Sequence, residues 1–251
     1  MKPAITYEGV CKSLASSNYK SFPDEYRKVK LIGILFARPD AKLSKEEFIP
    51  QFSYFNQASG KDIDFFCAGY TDGWTTQAAD GLEYTSTGIK ANEREWAFSN
   101  DSFISFSKEI SSRSRWKYSG ECDLILLNTF YDSDKQSVEL DFSMAIVCQL
   151  DQMKKDEAIP SLAEFFQKIF NHVNKDPDQS DPCVELSNSL GSEKGGPALI
   201  RFILSFLPKD LGKDFARLAW FTTKDISKVS VQGGNEKWSF QRFFKRFSLC
   251  R

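Results

Sequence analysis

Two apolar segments separated by an amphipathic one constrain the fold of this chain more than any other feature. Residues 29–37 (VKLIGILFA) and 62–70 (DIDFFCAGY) have the length and composition of buried strands. Between them, Ser44 and Glu47 have the spacing of a helix capping box, and three phenylalanines follow on one helical face: Phe48, Phe52 and Phe55. Strand, helix and strand within about forty residues predict a βαβ crossover, and therefore a parallel pair of strands.

The pattern continues beyond this unit. A helix is predicted for residues 100–115, capped by Asn100 or Asp101, and a buried strand for 121–131. Residues 137–150 alternate apolar and polar side chains, so we expect a strand with one solvated face, antiparallel to the strand before it. Ser161 begins a second capping pattern, and the apolar spacing of 161–174 predicts an amphipathic helix.

This order of elements over residues 29–174 is similar to that of the thioredoxin-like fold, and the resemblance is one of element order alone. The C-x-x-C motif of that fold is absent, since Pro39, Asp40, Ala41 and Lys42 occupy its position. The proline that normally precedes the hairpin is also missing. Dithiol redox chemistry is therefore not implied, and an ordinary doubly wound sheet fits the order almost as well.

The predicted fold class is α/β, with a mixed, mainly parallel sheet flanked by helices and a mostly helical C-terminal extension. We expect an N-terminal arm (1–28) with one short helical turn at 8–15, a core domain (29–176), a linker or long loop (177–196), and a mainly helical segment packed on the core (197–251). Residues 71–98 are predicted to be irregular, apart from a short strand near 83–89. Loops of this length are usually functional or carry their own structure.

Bulk composition narrows the function classes. The net charge of −1 and pI of about 6.0 argue against a nucleic-acid-binding protein. The six cysteines form no C-x-x-C pair and the single histidine is His172, so neither a metal nor a cofactor is predicted, and the thiols are expected to be reduced. With no apolar signal segment and no membrane-length apolar run, we expect a soluble cytoplasmic protein.

The first candidate site lies at the carboxyl ends of the two parallel strands. Arg38 and Asp40 follow the first strand, while Asp72 and Trp74 follow the second, so these four side chains are predicted to line one rim of the sheet. Such a rim suits a polar or anionic ligand. The alternative is that Asp72 is part of a turn and Arg38 is a solvated charge.

The second candidate is a C-terminal segment with an aromatic face and interleaved basic residues. Four phenylalanines recur at helical spacing, and no acidic residue follows Glu236. The candidate partner-binding residues are Phe240, Arg242, Phe243, Phe244, Lys245, Arg246 and Phe247. The alternative is that the aromatic face packs on the chain's own core.

The other acidic residues on the predicted strands are interpreted as solvated charges. Asp62 and Asp64 lie at the amino end of their strand and are interpreted as surface charges. Glu139 and Asp141, with Asp123 near them, resemble the carboxylate cluster of a metal-dependent nuclease, but the lysine that usually follows is absent.

Two functions follow as hypotheses. The first is a binding module that acts through protein–protein contacts, using residues 71–98 and the C-terminal segment. The second is an enzyme acting on a phosphorylated or nucleotide-like ligand at the rim. No catalytic residue is assigned; the expected partner is another protein, with a small anionic ligand second and nucleic acid not expected.

Overall fold

A computed structural model of the chain describes residues 1–18, 30–59, 63–73, 82–91, 93–132, 137–175, 181–192 and 219–228. Within these residues the strands are β1 (Lys2–Ala4), β2 (Lys30–Phe36), β3 (Asp64–Ala68), β4 (Tyr70–Asp72), β5 (Thr85–Ala91), β6 (Arg94–Phe98), β7 (Asp123–Asp132), β8 (Ser137–Gln149) and β9 (Thr223–Lys224). The helices are α1 (Tyr7–Asn18), α2 (Ile49–Ala58), α3 (Asn100–Arg113), α4 (Leu150–Lys155), α5 (Leu162–Lys175) and α6 (Pro182–Ser192).

The larger sheet is mixed, and its described strands lie in the order β1-β3-β2-β7-β8-β9. Strands β1, β3 and β2 are parallel, whereas β7, β8 and β9 are joined to β2 and to one another in antiparallel pairs. The sheet is therefore mixed, and the predicted parallel character is limited to its first three strands. Ile32 lies opposite Asp64 and Leu35 opposite Cys67, so the parallel pair predicted from the two apolar segments is confirmed. The predicted antiparallel hairpin of β7 and β8 is confirmed as well.

Aromatic side chains join the helices to both faces of this sheet. Phe65 of β3 packs against Phe166 of α5, with ring centroids 5.0 Å apart, and Phe166 also stacks on Phe55 of α2 at 4.7 Å. On the opposite face, Phe36 of β2 stacks on Phe106 of α3 at 5.7 Å. The high phenylalanine content is therefore used in the core, between sheet and helices.

Close packing at the centre of the sheet requires a glycine in β2. A Cβ atom at Gly33 would lie 2.5 Å from the ring of Phe65, which is nearer than side-chain carbons approach one another. Gly33 therefore leaves room for the ring that connects β3 to α5.

The helix between β2 and β3 begins differently from the prediction. The helix starts at Lys42, Ser44–Phe48 form a π-helical turn within it, and the buried Ser44 hydroxyl makes no capping hydrogen bond. Pro50 has no N–H to donate to the carbonyl of Glu46, and the wider turn before it accommodates this loss. The capping box predicted for Ser44 and Glu47 is wrong, because the Glu47 carboxylate accepts instead from the Leu162 amide of α5 at 2.7 Å.

The other helix starts agree more closely with the sequence patterns. At α5, the Ser161 hydroxyl accepts a hydrogen bond from the Glu164 amide at 3.1 Å, so this predicted cap is confirmed. At α3 the cap is Ser99, which accepts from the Ser102 amide at 3.4 Å, one residue before the predicted position.

The segment predicted to be irregular carries a second sheet, in the order β4-β6-β5 and antiparallel throughout its described strands. Its inner face buries Tyr70, Trp96 and Phe98 against the core, while β5 is the predicted strand near 83–89. Gly69 turns the chain from β3 into β4 with φ of +75°, and an added Cβ would lie 2.7 Å from Cβ of Phe103.

Three further segments differ from the prediction. Residues 1–18 form β1 and a 12-residue helix rather than a single turn, because Val10 and Leu14 of α1 are buried in the core. The expected linker 177–196 contains helix α6, whose Leu186 and Leu190 form a buried face. Of the predicted helical segment 197–251, the described residues are 219–228, where β9 pairs with β8.

Candidate functional site

The segments that follow β2 and β3 and the segment that precedes β7 lie at one edge of the larger sheet. Strands β2 and β3 run parallel and end at this edge, and β7 starts there with Asp123 opposite Phe36. The 38–40 loop after β2 and the segment before β7 therefore lie side by side.

Arg38 and Asp40 form an ion pair within the 38–40 loop. The Arg38 guanidinium donates from Nε to one carboxylate oxygen of Asp40 at 3.1 Å and from Nη2 to the other at 3.2 Å. The Arg38 side chain is 38% exposed and that of Asp40 is 67% exposed. This two-pronged geometry is the one in which arginine binds a planar carboxylate.

The two residues line an open cleft of about 250 Å³. The opposite wall is the amino half of β5, with Phe98 and Asn100 completing the lining. We call this the rim cleft, and its described lining residues are Arg38, Pro39, Asp40, Thr85, Ser86, Thr87, Phe98 and Asn100.

The wall formed by β5 owes its position to the hairpin with β6. Thr85 lies opposite Phe98 and Ser86 opposite Ala97, after which the pairing is interrupted by a bulge that ends at Ile89. Gly88, within this bulge, has φ of +69°, a conformation that favours glycine. The bulge leaves the hydroxyl-bearing residues 85–87 beside the 38–40 loop.

Asp72 does not share this cleft. It lies at the end of β4, where its carboxylate accepts a hydrogen bond from Arg94 of β6, and it is not among the described residues that line the cleft. Trp74 lies outside the described residues. The structure thus brings Arg38 and Asp40 together and holds Asp72 apart, and a role for any of these residues in ligand binding stays a prediction.

A buried polar cluster supports the base of the 38–40 loop. The Tyr70 hydroxyl donates to the carbonyl of Ala37 at 2.8 Å. The Cys122 thiol lies against the Ser44 amide of the following helix, and burial raises the pKa of this thiol and of the Tyr70 hydroxyl. Both groups therefore stay protonated at neutral pH, and the Tyr70 hydroxyl holds the end of β2 from which the loop leaves the sheet.

The prediction that Asp123 lies near Glu139 and Asp141 is wrong. In the hairpin Asp123 lies opposite Gln149, whereas Asp141 lies opposite Asn128, so the two carboxylates are at opposite ends of the strands and the cluster suggested for them is not formed. Asp123 is instead buried at the rim, where it accepts from the Ser119 amide at 2.9 Å and its hydroxyl at 2.7 Å. Burial raises the pKa of its carboxyl group. The sequence signal for this contact is Ser119, a hydroxyl-bearing residue four positions before Asp123.

Asp64, interpreted from sequence as a surface charge, is buried at the other end of the sheet. Its two carboxylate oxygens pair with Lys2 Nζ and Lys30 Nζ, each at 3.0 Å. Burial by itself would raise the pKa of the carboxyl group, but the two ammonium groups outweigh burial and lower it. The cluster therefore joins three strands, β1, β2 and β3.

The remaining candidates give little structural detail. The C-terminal residues 240–247 lie outside the described residues. The described cysteines are free thiols, and burial raises the pKa of Cys67 and of Cys183 to about 12. Within the described ranges, no group of three or more His, Cys, Asp or Glu side chains is arranged to hold a metal ion. Among the described helices, none combines the length and the apolar composition of a membrane span.

Comparison of the chain with protein-family models, with curated proteins and with solved structures finds no significant match.

Proposed function

We propose that this chain is a binding module that acts through contacts with another protein. The contact surface is the small sheet of β4, β5 and β6 together with the rim cleft. The observation that carries this proposal is the open cleft between the 38–40 loop and β5, because it places polar groups of two separate chain segments around one accessible space.

The two faces of the small sheet support this assignment. Its inner face packs Trp96 and Phe98 on the core, whereas Ser86, Lys90 and Glu95 on β5 and β6 are exposed. The inner face therefore stabilises the sheet, while these three exposed side chains are available for recognition. Irregular and inserted segments held on a rigid scaffold commonly carry binding residues.

We also infer a thioredoxin-like order for the larger sheet. In support, β2 lies between β3, its parallel neighbour, and β7, its antiparallel neighbour, and β8 follows β7 outward. Residues 39–42, which include no cysteine, occupy the position at which a dithiol motif would lie. We therefore infer a binding role for this scaffold and no dithiol redox chemistry. A mostly helical C-terminal extension, with the basic and aromatic residues 240–247 as a second contact surface, remains part of this proposal.

The second candidate function is an enzyme acting on a phosphorylated or nucleotide-like ligand. The observation that favours it is the guanidinium of Arg38 in a cleft at the carboxyl end of β2. We place it second because Asp72, which the sequence assigned to the same site, is paired with Arg94 outside the cleft lining.

Site-specific photo-crosslinking tests the proposed contact surface. A crosslinking amino acid replaces exposed Thr85 beside the cleft, and a matched variant carries it at exposed Lys155 at the end of α4. Any protein captured is purified, and its dissociation constant is then measured with the wild-type chain and with Ser86→Arg. We expect capture from position 85 and at least tenfold weaker binding by Ser86→Arg. Equal capture from position 155, or unchanged binding, would contradict the proposal.

A further inference from the structure

We propose that the rim cleft receives an acidic side chain from an extended segment of the partner protein, and that Arg38 binds its carboxylate. This inference rests on the proposed interaction function and names the chemistry of the partner. The carboxylate of Asp40 occupies the same guanidinium edge in the free protein and is displaced when the partner binds.

The geometry of the loop supports an exchange of one carboxylate for another. Asp40 reaches Arg38 from two residues away and engages both Nε and Nη2. Both side chains are substantially exposed, and exposed ion pairs contribute little to stability. A partner carboxylate can therefore replace Asp40 with nearly equivalent hydrogen bonds, so that the contacts it gains elsewhere in the cleft favour the complex.

Those additional contacts come from β5 and the start of α3. The Ser86 hydroxyl donates to Glu95 and accepts from the Gly88 amide, and the Thr87 hydroxyl donates to the Trp96 carbonyl and accepts from the Ile89 amide. One lone pair on each oxygen is left to accept from a partner backbone amide. Asn100 supplies an exposed amide, and Phe98 contributes apolar surface to the lining. An extended peptide presents the alternating donors and acceptors that such a wall can bind.

The volume of the cleft favours a single carboxylate side chain over a whole nucleotide. Its volume of about 250 Å³ is below the roughly 300–1,000 Å³ of pockets that enclose whole small-molecule ligands. A carboxylate side chain with the backbone on either side of it fits this space, while the remainder of the partner lies along the outer residues of β5.

A second arginine–aspartate pair provides a matched control. Arg115 contacts Asp225 at 3.5 Å, with both side chains 58% exposed, and also donates to the Asp225 carbonyl at 2.6 Å. This pair fastens residues 219–228 to the segment after α3, and neither residue is among the described lining of the cleft. Asp225→Asn therefore changes the charge of the chain in the same way as Asp40→Asn, away from the cleft.

The test is a nuclear magnetic resonance titration of the full chain with an acetylated, amidated pentapeptide, Ser-Thr-Glu-Val-Thr, and its glutamine twin. We expect the acidic peptide to shift the Arg38 side-chain Nε–Hε signal and the amides of residues 85–87. Asp40→Asn should tighten binding two- to fivefold by removing the competing carboxylate, Arg38→Gln should weaken it at least tenfold, and Asp225→Asn should leave it unchanged. The glutamine twin should bind at least tenfold more weakly.

Several results would overturn the proposal: no binding to the wild-type chain, equal binding of the glutamine twin, or an Arg38→Gln variant that binds normally. Binding of ATP with Mg²⁺ to the same signals, without the peptide, would overturn it in favour of the enzyme. If position 85 still captures a protein and Ser86→Arg still weakens that complex while Arg38→Gln does not, the carboxylate proposal fails and the interaction function stands. Melting temperatures near that of the wild type verify that each variant is folded.

Discussion

At the scale of single residues, we expect Asp64 to contribute strongly to the free energy of unfolding. It is 7% exposed, and it holds two lysines that lie on the strands to either side of its own. A buried carboxylate with two cationic partners is costly to disrupt, because both ammonium groups lose the negative charge that they share.

Asp64→Asn should therefore lower the free energy of unfolding by about 3 kcal/mol, the lower end for a broken buried pair, since Lys2 keeps 28% of its side chain exposed. The folded-state pKa of this carboxyl lies below its ordinary value, so its contribution is present above about pH 4 and is lost as the pH falls through the folded pKa. Urea denaturation from pH 7 to pH 2 measures both effects.

The matched control is Glu8→Gln, which removes a carboxylate from the exposed pair with Lys12 on α1. It should leave the urea midpoint at pH 7 unchanged, because both side chains are 75% exposed. A loss for Asp64→Asn no larger than that of Glu8→Gln, or an acid dependence equal to that of the wild type, would show that the buried cluster does not stabilise the sheet.

At the scale of elements, Glu47 in the turn before α2 makes a polar link to the first turn of α5. One Glu47 oxygen accepts from the Leu162 amide and the other pairs with Lys154 Nζ, each at 2.7 Å. The carboxylate thus satisfies an amide in the first turn of α5, where the helix dipole also favours negative charge.

Glu47→Ala should cost about 1.5–3 kcal/mol, the range for hydrogen bonds to charged groups. Glu46→Ala is the control, since Glu46 is exposed and lies 4.0 Å from Lys42 on its own helix. Thermal unfolding followed by circular dichroism compares the two variants. Equal melting temperatures for both would mean that the contact between the helices contributes nothing.

On the scale of the whole molecule, stability should decrease from the centre of the larger sheet outward. Strand β2 is paired on both sides, by β3 and β7, and its residues from Leu31 to Phe36 are buried. Strand β5, by contrast, pairs with β6 and has exposed residues over its amino half. Local opening is easiest where few buried contacts must break.

Hydrogen exchange measured by mass spectrometry should find the slowest amides in β2 and β7, and exchange in β5 and β9 should be faster by at least tenfold. Exchange in β5 as slow as in β2 would mean that the small sheet opens only when the whole molecule unfolds. The proposed contact surface would then be as rigid as the core.

The parts of the fold that could be predicted are those whose pattern is local. Local sequence carries the apolar runs of β2 and β3 and the helical spacing of 162–173. The two strands, their parallel direction and the α5 helix could therefore be predicted. Strands β4 and β6 were not predicted, because they are short and are stabilised by the packing of Tyr70 and Trp96 on the helix between β2 and β3. For the candidate site, Arg38 and Asp40 are two residues apart, so the sequence could predict that they lie close together. The separation of Asp72 from the cleft could not be predicted, because it depends on the pairing of β4 with β6.

The sequence alone determined the α/β class, the parallel pair at the centre of the sheet and the long hairpin, because hydrophobic periodicity acts over a few residues. The tertiary structure decided which polar groups contact one another. It buried Asp64 between two lysines, directed Glu47 to a helix 115 residues away, and set β5 against the 38–40 loop to form the cleft. These contacts depend on how whole elements pack, and the energies that select them come from residues far apart in the chain.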